Sequence, residues 1–304
     1  MDVFLTGGTG FIGSYVANEL LNKGHKLTIL ARNPNKIPYF TNHPSITMLA
    51  GDLGERETIK RGLYKKDACV HIALGRCAMG TESVREDLMP AVYMFETAAL
   101  MGVKKIIDTS SISTFGNAGD RYHEHQINRP TDYYGAVKAA KQSFLFGISQ
   151  TYGVQVNIVS PSYTFGHPLC AGATMYTDGT LRNIVKKVRK GEDVTLAEGT
   201  GFLTIGVEDL AKIYSAVLES DKYNRRIFIG VGTEVITWEE AARMAIELSG
   251  SRSKVILETD GRAVEGIMNC RPLPIDASPI EDEFGYNFQS RERLRVHLGY
   301  LLAI

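Results

Sequence analysis

The sequence predicts an α/β fold: a doubly wound parallel sheet covered by helices, followed by a smaller C-terminal α/β region. Three observations carry this. An apolar run at 2–6 leads directly into glycines at 7, 10 and 13, strand and helix signals then alternate as far as Pro161, and beyond Pro161 the alternation loosens. A helix between two strands returns the chain to the same end of the sheet, so strands joined in this way run parallel.

The first strand is built on Val3, Phe4 and Leu5. It delivers the chain into Thr6-Gly7-Gly8-Thr9-Gly10-Phe11-Ile12-Gly13. There Gly7 permits a tight turn, Gly10 lets backbone approach a phosphate, and Gly13 lets a helix pack closely on the strand. The helix shows Ile12, Val16 and Leu20 on one face with Ala17 and Leu21 beside them, and Gly24 stops it. Its N-terminus offers N–H groups and the positive end of the helix dipole to an anion. A glycine triplet alone is also met in ordinary turns. With a strand before it, a helix after it and a second strand at 27–30, it reads as a dinucleotide site.

The alternation continues with a strand at 46–50, a helix at 55–64, a strand at 68–73, a helix at 82–101 and a strand at 104–108. A helix at 131–152, stopped by Gly153, and a strand at 154–159 complete a doubly wound domain of Rossmann type. A helix at 207–219 and an apolar strand at 227–231 are placed to rejoin the sheet, and Thr237-Trp238-Glu239-Glu240 reads as a capping box opening another helix. The expected division is a dinucleotide-binding domain of residues 1–161 plus about 203–231, and a substrate-binding region of about 162–202 plus 232–304.

Thirty-four basic and thirty-four acidic residues cancel, so charge supplies no reason to expect nucleic acid or an anionic membrane as partner. No apolar run is long enough to span a bilayer, and the chain opens on a strand rather than a signal peptide, which predicts a cytoplasmic protein. Cys69, Cys77, Cys170 and Cys270 lack metal-site spacing and read as reduced thiols.

The chemistry lies at Tyr134-Gly135-Ala136-Val137-Lys138, because residues four apart on a helix share a face. A phenol of pKa ~10 is a poor base at neutral pH, and a neighbouring cation favours its phenolate. Tyr134 can then exchange a proton with a substrate hydroxyl while hydride moves to or from a nicotinamide. Upstream, Asp108-Thr109-Ser110-Ser111-Ile112-Ser113-Thr114-Phe115-Gly116 follows a strand, where open α/β sheets place ligands, so a hydroxyl here can hold the reacting oxygen. Both segments have plainer readings, as exposed helix residues and as a serine-rich turn. At the end of the second strand stand Ala31 and Arg32, where NAD-binding folds usually carry a carboxylate for the ribose hydroxyls. An arginine there pairs with a 2′-phosphate, so NADP(H) is the preferred cofactor and NAD(H) the alternative; a loop cation before Asn33-Pro34 is the other reading of Arg32.

Together these motifs resemble the extended short-chain dehydrogenase/reductase family, the NAD-dependent epimerase/dehydratase group, over nearly the whole chain. TGxxGxxG fits Thr6 to Gly13, YxxxK fits Tyr134 and Lys138, and SSxxxxG fits Ser110 to Gly116, which puts the family's catalytic hydroxyl on Ser111. Ser160-Pro161-Ser162-Tyr163-Thr164-Phe165-Gly166-His167-Pro168 resembles the segment lining the nicotinamide end. Val207-Glu208-Asp209-Leu210-Ala211 resembles the VxDLA helix start, and Arg271-Pro272 and Phe284-Gly285-Tyr286 resemble C-terminal pieces. The resemblance implies catalysis by Ser111, Tyr134 and Lys138 and cofactor contacts from Gly7, Gly10, Phe11, Ile12, Gly13, Arg32, Asp52, Leu53, Ala73, Tyr134, Lys138 and Pro161. It also implies a homodimer built from the helices at 82–101 and 131–152.

Departures from the family narrow the activity. Ile112-Ser113 follows Ser111 where sugar-nucleotide dehydratases carry an Asp-Glu pair, and Phe202 stands where sugar-nucleotide epimerases usually place an arginine for the diphosphate. The family's frequent Asn before the fifth strand is Asp87, and Pro90 is placed to kink that helix. His123-Glu124-His125 lacks further clustered ligands, so no metal is expected. Arg182, Lys186, Lys187, Arg189 and Lys190 alternate with Leu181, Ile184, Val185 and Val188 at helical spacing, the pattern of a solvated face on a packed helix. Arg76 and Arg271 are placed to meet an anionic substrate or to serve as surface and structural ions. The expected activity is therefore hydride transfer at a secondary alcohol or ketone of a small molecule. Epimerisation of a sugar or sugar nucleotide on tightly held NAD(P) is the alternative, and a non-catalytic dinucleotide sensor ranks third.

Overall fold

The computed structural model describes residues 1–75, 79–116, 122–123, 125–174, 179–232, 234–259, 262–268, 270 and 280–304. From the N-terminus come β1 (Asp2–Thr6), α1 (Phe11–Asn22), β2 (Lys26–Ala31), α2 (Pro38–Thr41), β3 (Ile46–Ala50), α3 (Arg56–Leu63) and β4 (Ala68–His71). There follow α4 (Gly80–Ser83), a π turn at Val84–Leu88, α5 (Met89–Leu100), β5 (Lys105–Thr109), α6 (Tyr133–Tyr152) and β6 (Gln155–Pro161). The chain continues through β7 (Tyr163–Phe165), α7 (Gly179–Lys190), β8 (Val194–Ala197), β9 (Gly201–Gly206), α8 (Val207–Glu219) and β10 (Arg226–Gly230). It ends with β11 (Val235–Thr237), α9 (Trp238–Ser249), β12 (Val255–Glu258), α10 (Ile280–Phe284) and α11 (Ser290–Ala303).

Seven strands form one sheet in the order β10-β6-β5-β4-β1-β2-β3, with every neighbouring pair parallel. The strand order reverses between β1 and β4, so loops leaving the carboxyl ends there open a crevice. Apolar side chains such as Phe4, Ile59, Leu63, Phe95, Ile106 and Leu145 are fully buried together in the core of this sheet and its helices. Each buried side chain of this size contributes roughly 1.5–3 kcal/mol.

The chain forms two compact units. The first holds Met1–Pro161, Pro168–Thr174 and Glu208–Gly230, and the described residues of 162–167, 175–207 and 231–304 make the second. Residues 203–207 fall in the second unit rather than with the large sheet, because β9 pairs with β7 and β11. Its core gathers Tyr163, Phe165, Trp238, Leu294 and Leu298 with the α7 stripe Leu181, Ile184, Val185 and Val188. Lys186, Arg189 and Lys190 of α7 are exposed, as the helical spacing requires. Thr237 caps α9 by accepting from the Glu240 N–H at 3.1 Å, while the Glu240 carboxylate accepts from Arg291 Nε at 2.5 Å.

The helix expected at 82–101 runs without interruption as α4, the π turn and α5. Pro90 sits in the first turn of α5 and has no N–H to donate to the carbonyl four residues back, so the ladder widens just before it. No helix among the described residues is long and apolar enough to cross a membrane.

Candidate active site

The glycine turn is built as the sequence requires. Gly7 has φ +77°, and a Cβ on it would lie 2.5 Å from the Ala73 backbone nitrogen, which brings the Ile72–Ala73 backbone after β4 against the loop. The Gly10 N–H donates to the Gly7 carbonyl at 2.9 Å, and a Cβ on Gly13 would sit 2.0 Å from that same oxygen. Only glycine at 13 allows α1 to start this close to β1. Gly10 caps α1 without a side-chain bond, and the intrahelical ladder starts with Ser14 N–H to the Gly10 carbonyl at 3.0 Å. The N–H groups of the first turn, Phe11 to Gly13, precede that ladder. A side-chain-free cradle at a helix N-terminus fits a dinucleotide's pyrophosphate.

Beside it, Arg32 is exposed immediately after β2, and the Gly51 N–H donates to the Ala31 carbonyl at 3.2 Å, which aligns Asp52 and Leu53 with the same sheet end. Asp52 accepts from the Gly54 N–H at 3.2 Å. Lys36, which has no motif to mark it in the sequence, donates from Nζ to the Thr9 carbonyl at 3.2 Å and to Thr174 Oγ1 at 2.5 Å. Pro161 ends β6 in register with Gly230.

A second cluster forms at the end of β5. Ser111 caps a 3-10 turn over Ile112–Phe115, its Oγ accepting from the Ser113 N–H at 3.2 Å. Asp132 caps α6 by accepting from the Gly135 N–H at 2.7 Å. A Cβ on Gly135 would meet the Ser113 carbonyl at 2.5 Å, so this glycine lets the first turn of α6 lie on the serine segment. That contact brings Tyr134, in the first turn of α6, to the serine segment, where the Ser111 side chain acts on its phenol. The buried Lys138 donates from Nζ to the Thr109 carbonyl at 2.8 Å, and Nζ stands 5.7 Å from the Tyr134 ring centroid. Gln142 holds helix to strand by donating to Ser110 Oγ at 2.6 Å, and accepts from Asn128 at 2.7 Å. Ser111, Tyr134 and Lys138 are thus brought together.

Burial is the largest influence on the Tyr134 phenol and pushes its pKa up; the Ser111 hydrogen bond and the Lys141 charge work against that. Sequence reasoning missed Lys141, Asp108 and His71 and left Asp87 without a role. The available signal was spacing: Tyr134, Lys138 and Lys141 stand at i, i+4 and i+7 on one helical stripe.

In the second unit Phe202 packs on Tyr163 at 5.5 Å between ring centroids, and Tyr163 packs on Trp238 at 5.5 Å. An aromatic contact fills the position expected for a diphosphate arginine. Arg76, Cys77, Glu124, Arg271 and Pro272 lie outside the described residues.

The sequence matches the NAD dependent epimerase/dehydratase family over residues 3–230. A relative in Saccharomyces cerevisiae, the uncharacterized protein YLL056C, is 25% identical, with 95% of each chain covered. The UDP-glucose 4-epimerase of Neisseria meningitidis serogroup C is 31% identical over 49% of this chain and 48% of that protein, so the match spans about half of each. Among solved structures, the UDP-glucuronic acid 4-epimerase from Bacillus cereus in complex with UDP-glucuronic acid and NAD superposes with a TM-score of 0.79 at 17% identity, covering 99% of both chains. That last likeness shows the fold. A family match over most of the chain, together with the glycine cradle and the Tyr134–Lys138 stripe, leads to one assignment: the chain belongs to the NAD dependent epimerase/dehydratase family and is an NAD-dependent extended short-chain dehydrogenase/reductase enzyme.

Proposed function

We propose that this enzyme inverts a secondary alcohol centre of a sugar or sugar nucleotide by transient oxidation. The observation that carries this is the convergence of Ser111, Tyr134 and Lys138 at the end of β5, in the first unit with the glycine cradle. When bound, the nicotinamide supplies a hydride acceptor and donor. In this reading Ser111 orients the reacting oxygen, Tyr134 takes and returns its proton, and Lys138 stabilises the phenolate and holds the nicotinamide ribose. The backbone at Gly7, Gly10, Phe11, Ile12 and Gly13 receives the pyrophosphate. Arg32, Asp52 and Leu53 flank the adenosine, and Ala73 and Pro161 border the rest of the cofactor.

Sequence reasoning ranked net oxidoreduction ahead of epimerisation. The family and the epimerases among its relatives favour the opposite order. Net reduction of a ketone keeps a place on two observations: Phe202 in aromatic packing instead of an arginine clamp, and Arg32 after β2. Purification followed by turnover separates them. Epimerisation predicts nicotinamide that co-purifies and is regenerated each cycle; stoichiometric consumption of added NADPH would establish the reductase.

The NADP(H) preference rests on Arg32 alone, and the NAD in the B. cereus structure marks the alternative. Arg32→Ala is expected to weaken NADP(H) about tenfold or more, the worth of a charge-assisted phosphate contact, with NAD(H) nearly unchanged. Equal losses in calorimetric titrations would remove the phosphate argument. The ligand is a small molecule, with no nucleic acid or membrane in the reading.

A homodimer through α5 and α6 belongs to the same proposal. Leu100 on α5 and Phe144 and Tyr152 on α6 are exposed, and the last two line a groove with Gly147 and Ile148. Sedimentation should give a dimer and Phe144→Glu a monomer, as a charge desolvated in an apolar interface requires; a monomeric parent protein would refute it. The free thiols Cys69, Cys170 and Cys270 suit the reducing cytoplasm, which we take as its setting.

A further inference from the structure

Behind the Tyr134–Lys138 pair lies a buried cluster of charge that the reaction as described does not use. The Lys141 side chain is 0% exposed and that of Asp87 4%, with Nζ 3.4 Å from each carboxylate oxygen. Asp87 is carried by the π turn at Val84–Leu88, and a Cβ on Gly75 would come within 2.7 Å of the Asp87 Cβ, so the loop after β4 closes on it. From β5, Asp108 is buried with neither carboxylate oxygen hydrogen-bonded. Its register partner on β4 is His71, whose Nδ1 pairs with Thr6 Oγ1 at 2.7 Å and whose Nε2 is unbonded. Among the described residues, Cys69 on β4 and Tyr214 on α8 also face Asp108.

Burying two lysines beside two carboxylates costs several kcal/mol per ion, and apolar side chains of the same volume are often no less stable. Such a cluster beside a candidate catalytic pair points to function. Burial and the neighbouring lysines hold His71 neutral, burial pushes the Asp108 carboxyl up, and burial and Lys138 pull the Lys141 ammonium down. Lys141 follows Tyr134 and Lys138 on one stripe of α6, and both lysines are buried, so its charge sits on the buried side of the pair.

We propose that Lys141, anchored on Asp87 behind Lys138, is a positioning residue for proton transfer that supports the Tyr134 phenolate from the buried side. This rests on the reading of Tyr134 as the proton-transferring group. Its consequence is that phenolate formation depends on two cations, Lys138 and Lys141, rather than on Lys138 alone.

The test is a 13C NMR titration of the Tyr134 Cζ in the protein saturated with NAD+, the signal being identified by its loss in Tyr134→Phe. Lys141→Gln removes the cation and is expected to raise the midpoint by about one pH unit, a tenfold change in proton affinity. Since that variant strands Asp87 and can fail to fold, Asp87→Asn/Lys141→Gln supplies a neutral hydrogen-bonding pair, for which about half a unit in the same direction is expected. Lys141→Arg should restore the parent midpoint. An unchanged midpoint in a folded Lys141→Gln or double variant overturns the proposal. The readout needs no substrate, so it can fail while Tyr134→Phe still abolishes turnover, and the reverse outcome is equally visible.

Discussion

Tyr134→Phe is expected to lower turnover by about 10²- to 10⁴-fold, the usual worth of a positioned general acid–base group, while dinucleotide affinity stays within about twofold. The substitution removes one oxygen and keeps the ring. Ser111 still caps its turn through the Ser113 N–H, Lys138 still donates to the Thr109 carbonyl, and Gly135 still seats α6 on the serine segment. What disappears is the phenol beside Ser111 that is proposed to exchange the substrate's proton. Steady-state kinetics beside a fluorescence titration of the cofactor separates the two effects. Turnover close to that of the parent protein would show that another group moves the proton.

Gly13→Ala is expected to cost about 10²-fold or more in dinucleotide affinity, equivalent to about 2.7 kcal/mol, together with a fall in melting temperature. The added Cβ would stand 2.0 Å from the Gly7 oxygen, 2.6 Å from the Gly7 carbonyl carbon and 3.0 Å from the Gly8 Cα. All three are backbone atoms of the turn itself, so no rotamer change relieves the overlap. Helix α1 has to retreat, and its first-turn N–H groups leave the position a pyrophosphate requires. Gly299→Ala is the control: nothing lies within 4 Å of a Cβ there and α11 is helical, so alanine should be neutral or stabilising by up to about 1 kcal/mol. Equal cofactor affinity in Gly13→Ala and the parent would disprove the cradle.

Both effects arise in segments whose proposed roles are legible in the amino-acid sequence. The glycine turn is a backbone constraint written in consecutive residues, and the Tyr134–Lys138 spacing needs only helical geometry to become a shared face. The α7 stripe is readable for the same reason. By contrast β7, β8, β11 and β12 are three or four residues long, too short for a period of two to stand out, and only their pairing with other strands defines them.

At the candidate site, sequence marks the groups proposed for the reacting side and misses those behind them. Gly135 reads as an ordinary helix residue until the Ser113 carbonyl is seen against it. Lys141 carries no motif, and Asp87 is marked only as standing where the family frequently has Asn, since burial and pairing are tertiary properties with no local signature. Pro90 signals a kink in its helix but not that the ladder widens into a π turn carrying Asp87 inward. Substrate choice is least legible, because it is set by loops that vary on a fixed scaffold.

In the proposed reaction hydride moves to and from a carbinol carbon, and Tyr134 handles only the hydroxyl proton. Its most direct test is the fate of deuterium placed on that carbon, in UDP-hexoses and free sugars labelled at C4, followed by mass spectrometry of the sugar and NMR of the water. Hydride transfer predicts that deuterium stays with the sugar or the cofactor through turnover and never enters water. Release of the label into water at the rate of turnover would mean that the carbon is deprotonated instead, and would contradict the account.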